Sequence, residues 1–219
     1  MELWKTLSTE VVSKRGKWLT LEDHKVQLPD GKMIPDWSFV STPSFINVAA
    51  QTVEGKWIVF QQTKYAIGYA FKSDTLAVVG GYIDKDEAPL EAAKRELQEE
   101  TGYEAADADW FSVGCGVADA NRGSGIGHLF YARRCKFVKK ATSDDLEEQK
   151  LLLLDSDEVR KALIDGRFKT QSWQACLATA LLHSQQSDDA EKRKDSADKS
   201  NDNSNKGKKR RKSETETVE

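Results

Sequence analysis

The chain has 219 residues, 38% of them hydrophobic, with 33 Lys and Arg against 36 Asp and Glu for a net charge of −3. That balance argues against wholesale nucleic-acid binding by bulk charge and leaves open only a local basic patch. Cys115, Cys135 and Cys176 are odd in number, widely spaced and without a CxxC pattern. They fit ordinary thiols in a reducing compartment better than a disulfide framework or a zinc site. The start, Met1-Glu2-Leu3-Trp4-Lys5, lacks a secretory apolar run, and no segment approaches the ~20 apolar residues that span a bilayer. The expectation is an intracellular chain, cytoplasmic or nuclear, with no membrane partner.

In chain order, residues from about 10 to 22 alternate loosely and predict one or two exposed strands. Leu28-Pro29-Asp30-Gly31-Lys32 has the chemistry of a turn and joins His24–Gln27 to Met33–Val40 as a hairpin. Phe45–Ala50 and Lys56–Gln61 read as strands across the turn Val53-Glu54-Gly55. Lys64–Phe71, aromatic and punctuated by Gly68, reads as a loop with short strand pieces. Leu76–Val79 is an apolar strand feeding Gly80-Gly81, which are expected to turn tightly. A helix follows, with Pro89 suited to its first turn and Gly102 to the position just past its end. Trp110–Val117 reads as a strand, Ala118–Gly127 as a polar, flexible binding loop, and His128–Phe137 as another strand. Lys139–Glu148 is a charged loop, and Gln149–Leu154 a strand. Asp157–Ile164 and Ser172–Leu182 have helical periodicity and are separated by Asp165-Gly166.

Past Ser184 the composition changes. Residues 185–219 carry almost no apolar side chain and no aromatic, too little to offset the entropy of ordering, so a disordered polar tail is expected. Most of the low mean hydropathy of −0.64 arises there. The remainder, 1–184, reads as one domain, with N-terminal strands over about 10–42 and a catalytic core over about 43–184. Within the tail, Lys206-Gly207-Lys208-Lys209-Arg210-Arg211-Lys212 resembles a nuclear-localisation signal or a weak nucleic-acid contact.

The helix after Gly80-Gly81 carries the chemistry. Glu96, Glu99 and Glu100 are spaced i, i+3, i+4, so their carboxylates share one face, while Leu90, Ala93 and Leu97 share another. Like charges at these spacings cost an isolated helix roughly 0.2–0.5 kcal/mol per pair, a penalty that a bound cation reverses. Gly81, Glu87, Arg95, Glu96, Leu97, Glu99, Glu100 and Gly102 fall on the pattern G-x5-E-x7-R-E-U-x-E-E-x-G-U. The stretch therefore resembles the Nudix box, with Tyr103 in place of the usual aliphatic. Gly16-Lys17-Trp18-Leu19-Thr20-Leu21-Glu22, Pro29-Asp30-Gly31, Trp37 and Gln62-Thr63-Lys64-Tyr65 resemble the ADP-ribose and nucleotide-sugar pyrophosphatases more narrowly. Lys64 stands where that branch has arginine, and Ala77-Val78-Val79-Gly80-Gly81 lacks its usual glutamate and proline.

The resemblance implies an α/β fold, a Nudix α/β/α sandwich with a mixed sheet and an extra N-terminal antiparallel sheet. It implies hydrolysis of the diphosphate in a nucleoside diphosphate sugar, ADP-ribose first, giving AMP and ribose 5-phosphate. A nucleoside triphosphatase and a non-catalytic nucleotide-binding module are the rivals. Mg²⁺, with Mn²⁺ as the alternative, would be held by Glu96, Glu99, Glu100 and the Gly80 carbonyl. Glu87 would act through a metal-bound water, and Arg95 would orient the cluster. Glu147, or its neighbour Glu148, would serve as general base. Trp18 and Trp37 resemble the pair that sandwiches adenine across a homodimer. Lys64, Arg122 and His128 are candidates for phosphate or ribose; His128 also reads as a buried, satisfied histidine, and Arg122 is the best of the three.

Overall fold

A computed structural model of the chain describes residues 1–142 and 148–186. The chain divides into two compact units, Met1–Ala180 and Leu181–Glu219, and residues 181–186 of the second are helical. Every other described element belongs to the first unit. The tail beyond 186, with its basic run at 206–212, lies outside the described residues.

Three long strands open the first unit: β1 (Lys5–Arg15), β2 (Leu19–Gln27) and β3 (Met33–Ser41), paired antiparallel in sequence order. The first turn uses Gly16 at φ 57°. The second uses Gly31 at φ 86°, with the Asp30 carboxylate accepting from Lys32 N at 2.9 Å. The core strand β4 (Phe45–Thr52) is an almost unbroken buried run, as suits a strand paired on both edges. Its partner β10 (Gly123–Phe137) lies parallel to it along 127–132, and β9 (Trp110–Asp119) runs antiparallel to β10. On the far side come β5 (Trp57–Gln62) and β11 (Gln149–Leu154), giving the order β1-β2-β3-β10-β4-β5-β11.

One edge of β4 forks. Its end half, Ala50 and Gln51, pairs with β5, while Phe45–Val48 pairs with β7 (Val79–Tyr82). β5 meanwhile takes β6 (Thr75–Ala77) as its partner, and the short β8 (Tyr103–Glu104) pairs with the end of β10. The segment 75–82 thus starts on β5, breaks at Val78 and continues on β4. Helix α2 (Pro89–Thr101) buries Ala92, Ala93 and Leu97 against Ile46, Val48, Val79 and Phe130. It stops in Gly102 at φ 75°, where a side chain would strike the Lys139 carbonyl. Helix α3 (Ser156–Ile164) follows β11. A last helix, α4, begins at 171 and brings the Cys176 thiol to the carbonyls of Asn47 and Phe130 at 3.5 Å.

Two expectations about whole elements fail here. Tyr65–Phe71 is a helix, α1, not a loop: Ile67 is its buried residue, and Lys72 ends it in the left-handed conformation at φ 54°. Ala118–Gly127 is mostly a continuous hairpin between β9 and β10, closed by Asp119 Oδ1, which accepts from Asn121 N and Arg122 N at 2.7 and 2.8 Å. The aspartate supplies the turn that glycine and serine alone would leave flexible.

Candidate active site

Arg95 is the hub of the acidic face. Its Nε and Nη2 donate to the two oxygens of Glu87 at 2.9 and 3.0 Å, a fork matched to a fork. Nη1 donates to Glu96 Oε1 at 2.8 Å and to Glu99 Oε2 at 3.2 Å. Glu87 enters from the loop between β7 and α2, and its Oε2 also accepts from Asp84 N at 3.0 Å. The Arg95 hydrogen bonds hold the Glu87 carboxyl below the usual carboxylate range. The same bonds, Glu87 first and then Glu96, push the guanidinium above its ordinary value.

Gly80 and Gly81 lie inside β7, opposite Asn47 and Ile46, rather than in a tight turn. Glycine is needed there for close approach. A Cβ on Gly81 would land on the Glu96 carboxylate, and one on Gly80 would meet the Asn47 amide and the Ile46 carbonyl. Of the metal ligands expected from the sequence, Glu96, Glu99 and Glu100 lie on one helix and Gly80 lies on the strand which that helix packs against. Among the described residues no three acidic, His or Cys side chains are already gathered as a metal cage, and Glu87, Glu96 and Glu99 are paired with Arg95. A set of hard carboxylate and carbonyl oxygens beside two glycines fits Mg²⁺ or Mn²⁺ by its chemistry.

Beside this face, in the fork of the sheet, is a cavity of about 270 Å³. Gly80, Gly81 and Glu100 form one wall, and Lys64, Gln149 and Trp173 others. Tyr82 also lines it, and the Trp18 ring lies 5.2 Å from the Tyr82 ring, which puts Trp18 beside a cavity residue. Trp37 belongs to a different group. It packs edge-on against Trp4 at 5.4 Å, takes the Arg122 guanidinium over its face at 5.2 Å and donates from Nε1 to the Asn121 carbonyl. Arg122 itself donates to the Ser38 carbonyl at 3.0 Å, so it is anchored to β3. Within one chain, Trp18 and Lys64 thus belong to the cavity side, and Trp37 with Arg122 forms a second cluster. His128 is half-buried with Nδ1 3.6 Å from Cys115 Sγ. Glu148 is exposed, and Glu147 lies outside the described residues.

The cavity wall also contains Asn47, Gln149 and Trp173, which sequence reasoning passed over, and Gln62, which it named only within the segment Gln62-Thr63-Lys64-Tyr65. Of the three passed over, Asn47 left a local signal, as an amide in the otherwise apolar run Phe45–Ala50.

Comparison with known proteins gives the family and the fold. Residues 4–40 match the nucleoside diphosphate sugar hydrolase N-terminal domain, which is the β1–β3 sheet, and residues 42–173 match the NUDIX domain. A methanol dehydrogenase activator of Bacillus methanolicus is 30% identical over 169 residues, covering 74% of this chain and 84% of that protein. An ADP-ribose pyrophosphatase of Bacillus subtilis (strain 168) is 31% identical over 147 residues, covering 66% and 74%. The crystal structure of an ADP compounds hydrolase shares the fold at a TM-score of 0.64 and 20% identity, over 82% of this chain and 92% of that one. The acidic helix, its glycine-bearing strand and the N-terminal sheet all carry this relationship: the chain belongs to the Nudix family, as a Nudix hydrolase of the ADP-ribose and nucleoside diphosphate sugar pyrophosphatase type.

Proposed function

We propose that the protein hydrolyses the diphosphate of nucleoside diphosphate sugars, with ADP-ribose as the leading substrate. Water adds to one phosphorus, the bridging P–O bond breaks, and AMP and ribose 5-phosphate leave. The observation that carries this reading is the acidic face of α2 set against Gly80-Gly81 at the wall of the cavity. The N-terminal match to nucleoside diphosphate sugar hydrolases and the relative named an ADP-ribose pyrophosphatase support the substrate class.

Glu96, Glu99, Glu100 and the Gly80 carbonyl would hold Mg²⁺ or Mn²⁺, which when bound neutralises phosphate charge and acidifies water. Arg95 fixes the direction of Glu96 and Glu99, and Glu87 fixes Arg95. Lys64 offers the diphosphate a point charge rather than a fork. Glu147, with Glu148 as the alternative, takes the proton of the attacking water. Trp18 and Trp37 stack on the base, each worth ~1–3 kcal/mol in such contacts. Because they stand in separate clusters within one chain, both plates reach one base only if a second copy supplies one of them. The exposed apolar residues Leu7, Val11 and Val12 on the outer strand β1 support a homodimer.

Purified protein with Mg²⁺ is expected to release nucleoside monophosphate from ADP-ribose, ahead of ADP-glucose and UDP-glucose. Failure of a folded, metal-loaded protein to turn over any diphosphate sinks the reading.

A further inference from the structure

Two buried amides line the cavity, each with an oxygen that is unpartnered among the described residues. Asn47, on β4, is 3% exposed and Gln62, on β5, is 6% exposed, and both line the cavity wall. Among the described residues, neither Asn47 Oδ1 nor Gln62 Oε1 has a hydrogen-bond partner. Buried side-chain oxygens nearly always have one, and an unmet acceptor is expensive to keep. The fork of the sheet explains how Asn47 comes to be short of donors, and the Thr75 hydroxyl across from Gln62 is turned to the Leu76 and Arg167 carbonyls. β4 and β5 separate after Ala50 and Gln51, and the segment that fills the gap presents Gly80 rather than a side chain opposite Asn47. Each amide is therefore held in a strand of the sheet, Asn47 opposite Gly80 and Gln62 between Thr75 and Gln149, in a cavity otherwise walled in part by Phe45, Phe60 and Trp173.

We propose that Asn47 and Gln62 are specificity residues that accept hydrogen bonds from hydroxyls of the distal sugar, which occupies this cavity while the diphosphate lies over the acidic helix. This rests on the nucleoside diphosphate sugar reading above. A sugar is the part of such a substrate that carries several O–H donors on a compact ring. The aromatic walls suit its C–H faces, and the two carbonyl oxygens suit its hydroxyls. A substrate that lacks the matching hydroxyl leaves a buried acceptor unmet and is rejected for that reason.

The test uses the full-length enzyme with ADP-ribose and its analogues deoxygenated at position 2 or 3 of the distal sugar. Wild type is expected to prefer ADP-ribose over at least one analogue by about 10- to 100-fold in kcat/KM. Asn47→Leu and Gln62→Met keep side-chain volume and delete the acceptor, so each should erase the preference for its own hydroxyl while still turning over the deoxy analogue. Wild type that treats every analogue alike overturns the proposal, and this arm needs no variant to fold. Preference retained in both variants overturns it, as does an equal loss on all substrates, which would place the amides on metal-bound water instead. Calorimetric binding of ribose 5-phosphate against 2-deoxyribose 5-phosphate and 3-deoxyribose 5-phosphate reads the same preference without turnover. An enzyme inactive on every diphosphate but selective in that binding therefore loses the functional reading and keeps this one.

Discussion

Arg95 works by shape as much as by charge. Its planar fork meets both oxygens of Glu87 while a third nitrogen aligns Glu96 and Glu99, an arrangement that a lysine ammonium cannot copy. Arg95→Lys is expected to lower kcat by about 10- to 100-fold with a smaller change in KM, measured by steady-state kinetics with ADP-ribose. Glu87 adds a pH signature. Its folded carboxyl lies below the ordinary value of 4.5, so its contribution to stability is present above that pH and is lost as pH falls through the folded value. Thermal melts taken from neutral pH down past 4.5 should show wild type losing stability more steeply than Glu87→Gln, which starts lower and falls less. The cysteines differ for a simpler reason. Burial pushes the Cys135 and Cys176 thiols up to about 12, whereas Cys115 is exposed. Thiol titration of the native protein should therefore count Cys115 alone, with the other two appearing on denaturation.

At the level of elements, the decisive contact is β7 against α2. The helix can lie close to the strand only because Gly81 has no side chain where the Glu96 carboxylate sits. Gly81→Ala must push Glu96 aside or move the helix, and a shift of that size costs on the order of 10²-fold in rate. Activity should fall well beyond any loss in melting temperature, and equal, small losses in both would contradict this account. Gly68 is the opposite case. It lies inside α1, with nothing within 4 Å of the position a Cβ would take. Gly68→Ala should stabilise the protein by about 0.5–1 kcal/mol in chemical denaturation, because glycine there only adds entropy to the unfolded chain. The aromatic residues of α1 pointed to strand pieces by propensity. Packing of Ile67 decides for helix, a case of tertiary context overriding a weak local preference.

For the molecule as a whole, the sheet ends in a long, open strand. β1 exposes Leu7, Val11 and Val12 on an edge that nothing in the chain covers among the described residues. Such an edge invites pairing with another chain. Light scattering is expected to find two chains per particle. Leu7→Lys combined with Val11→Lys should shift it to one chain, with kcat/KM falling because one stacking tryptophan is lost. A monomeric variant of full activity would remove the shared-site reading.

The sequence by itself determined the acidic helix, its start at Pro89, its stop at Gly102, and the face shared by Glu96, Glu99 and Glu100. These follow from caps and from a period of 3.6, which depend on neighbours within a turn or two. The turns at Gly31 and Gly55 were legible for the same reason. Only the tertiary structure decided that Gly80-Gly81 serves close packing rather than a turn, that Trp37 sits under Arg122, and that Asn47 and Gln62 line one cavity. Those facts come from strands brought together across long stretches of chain: β4 is shared between β5 and β7, and β10 lies parallel to it. Local patterning does not encode which edge a strand will fork from, and the cavity exists only because of that fork.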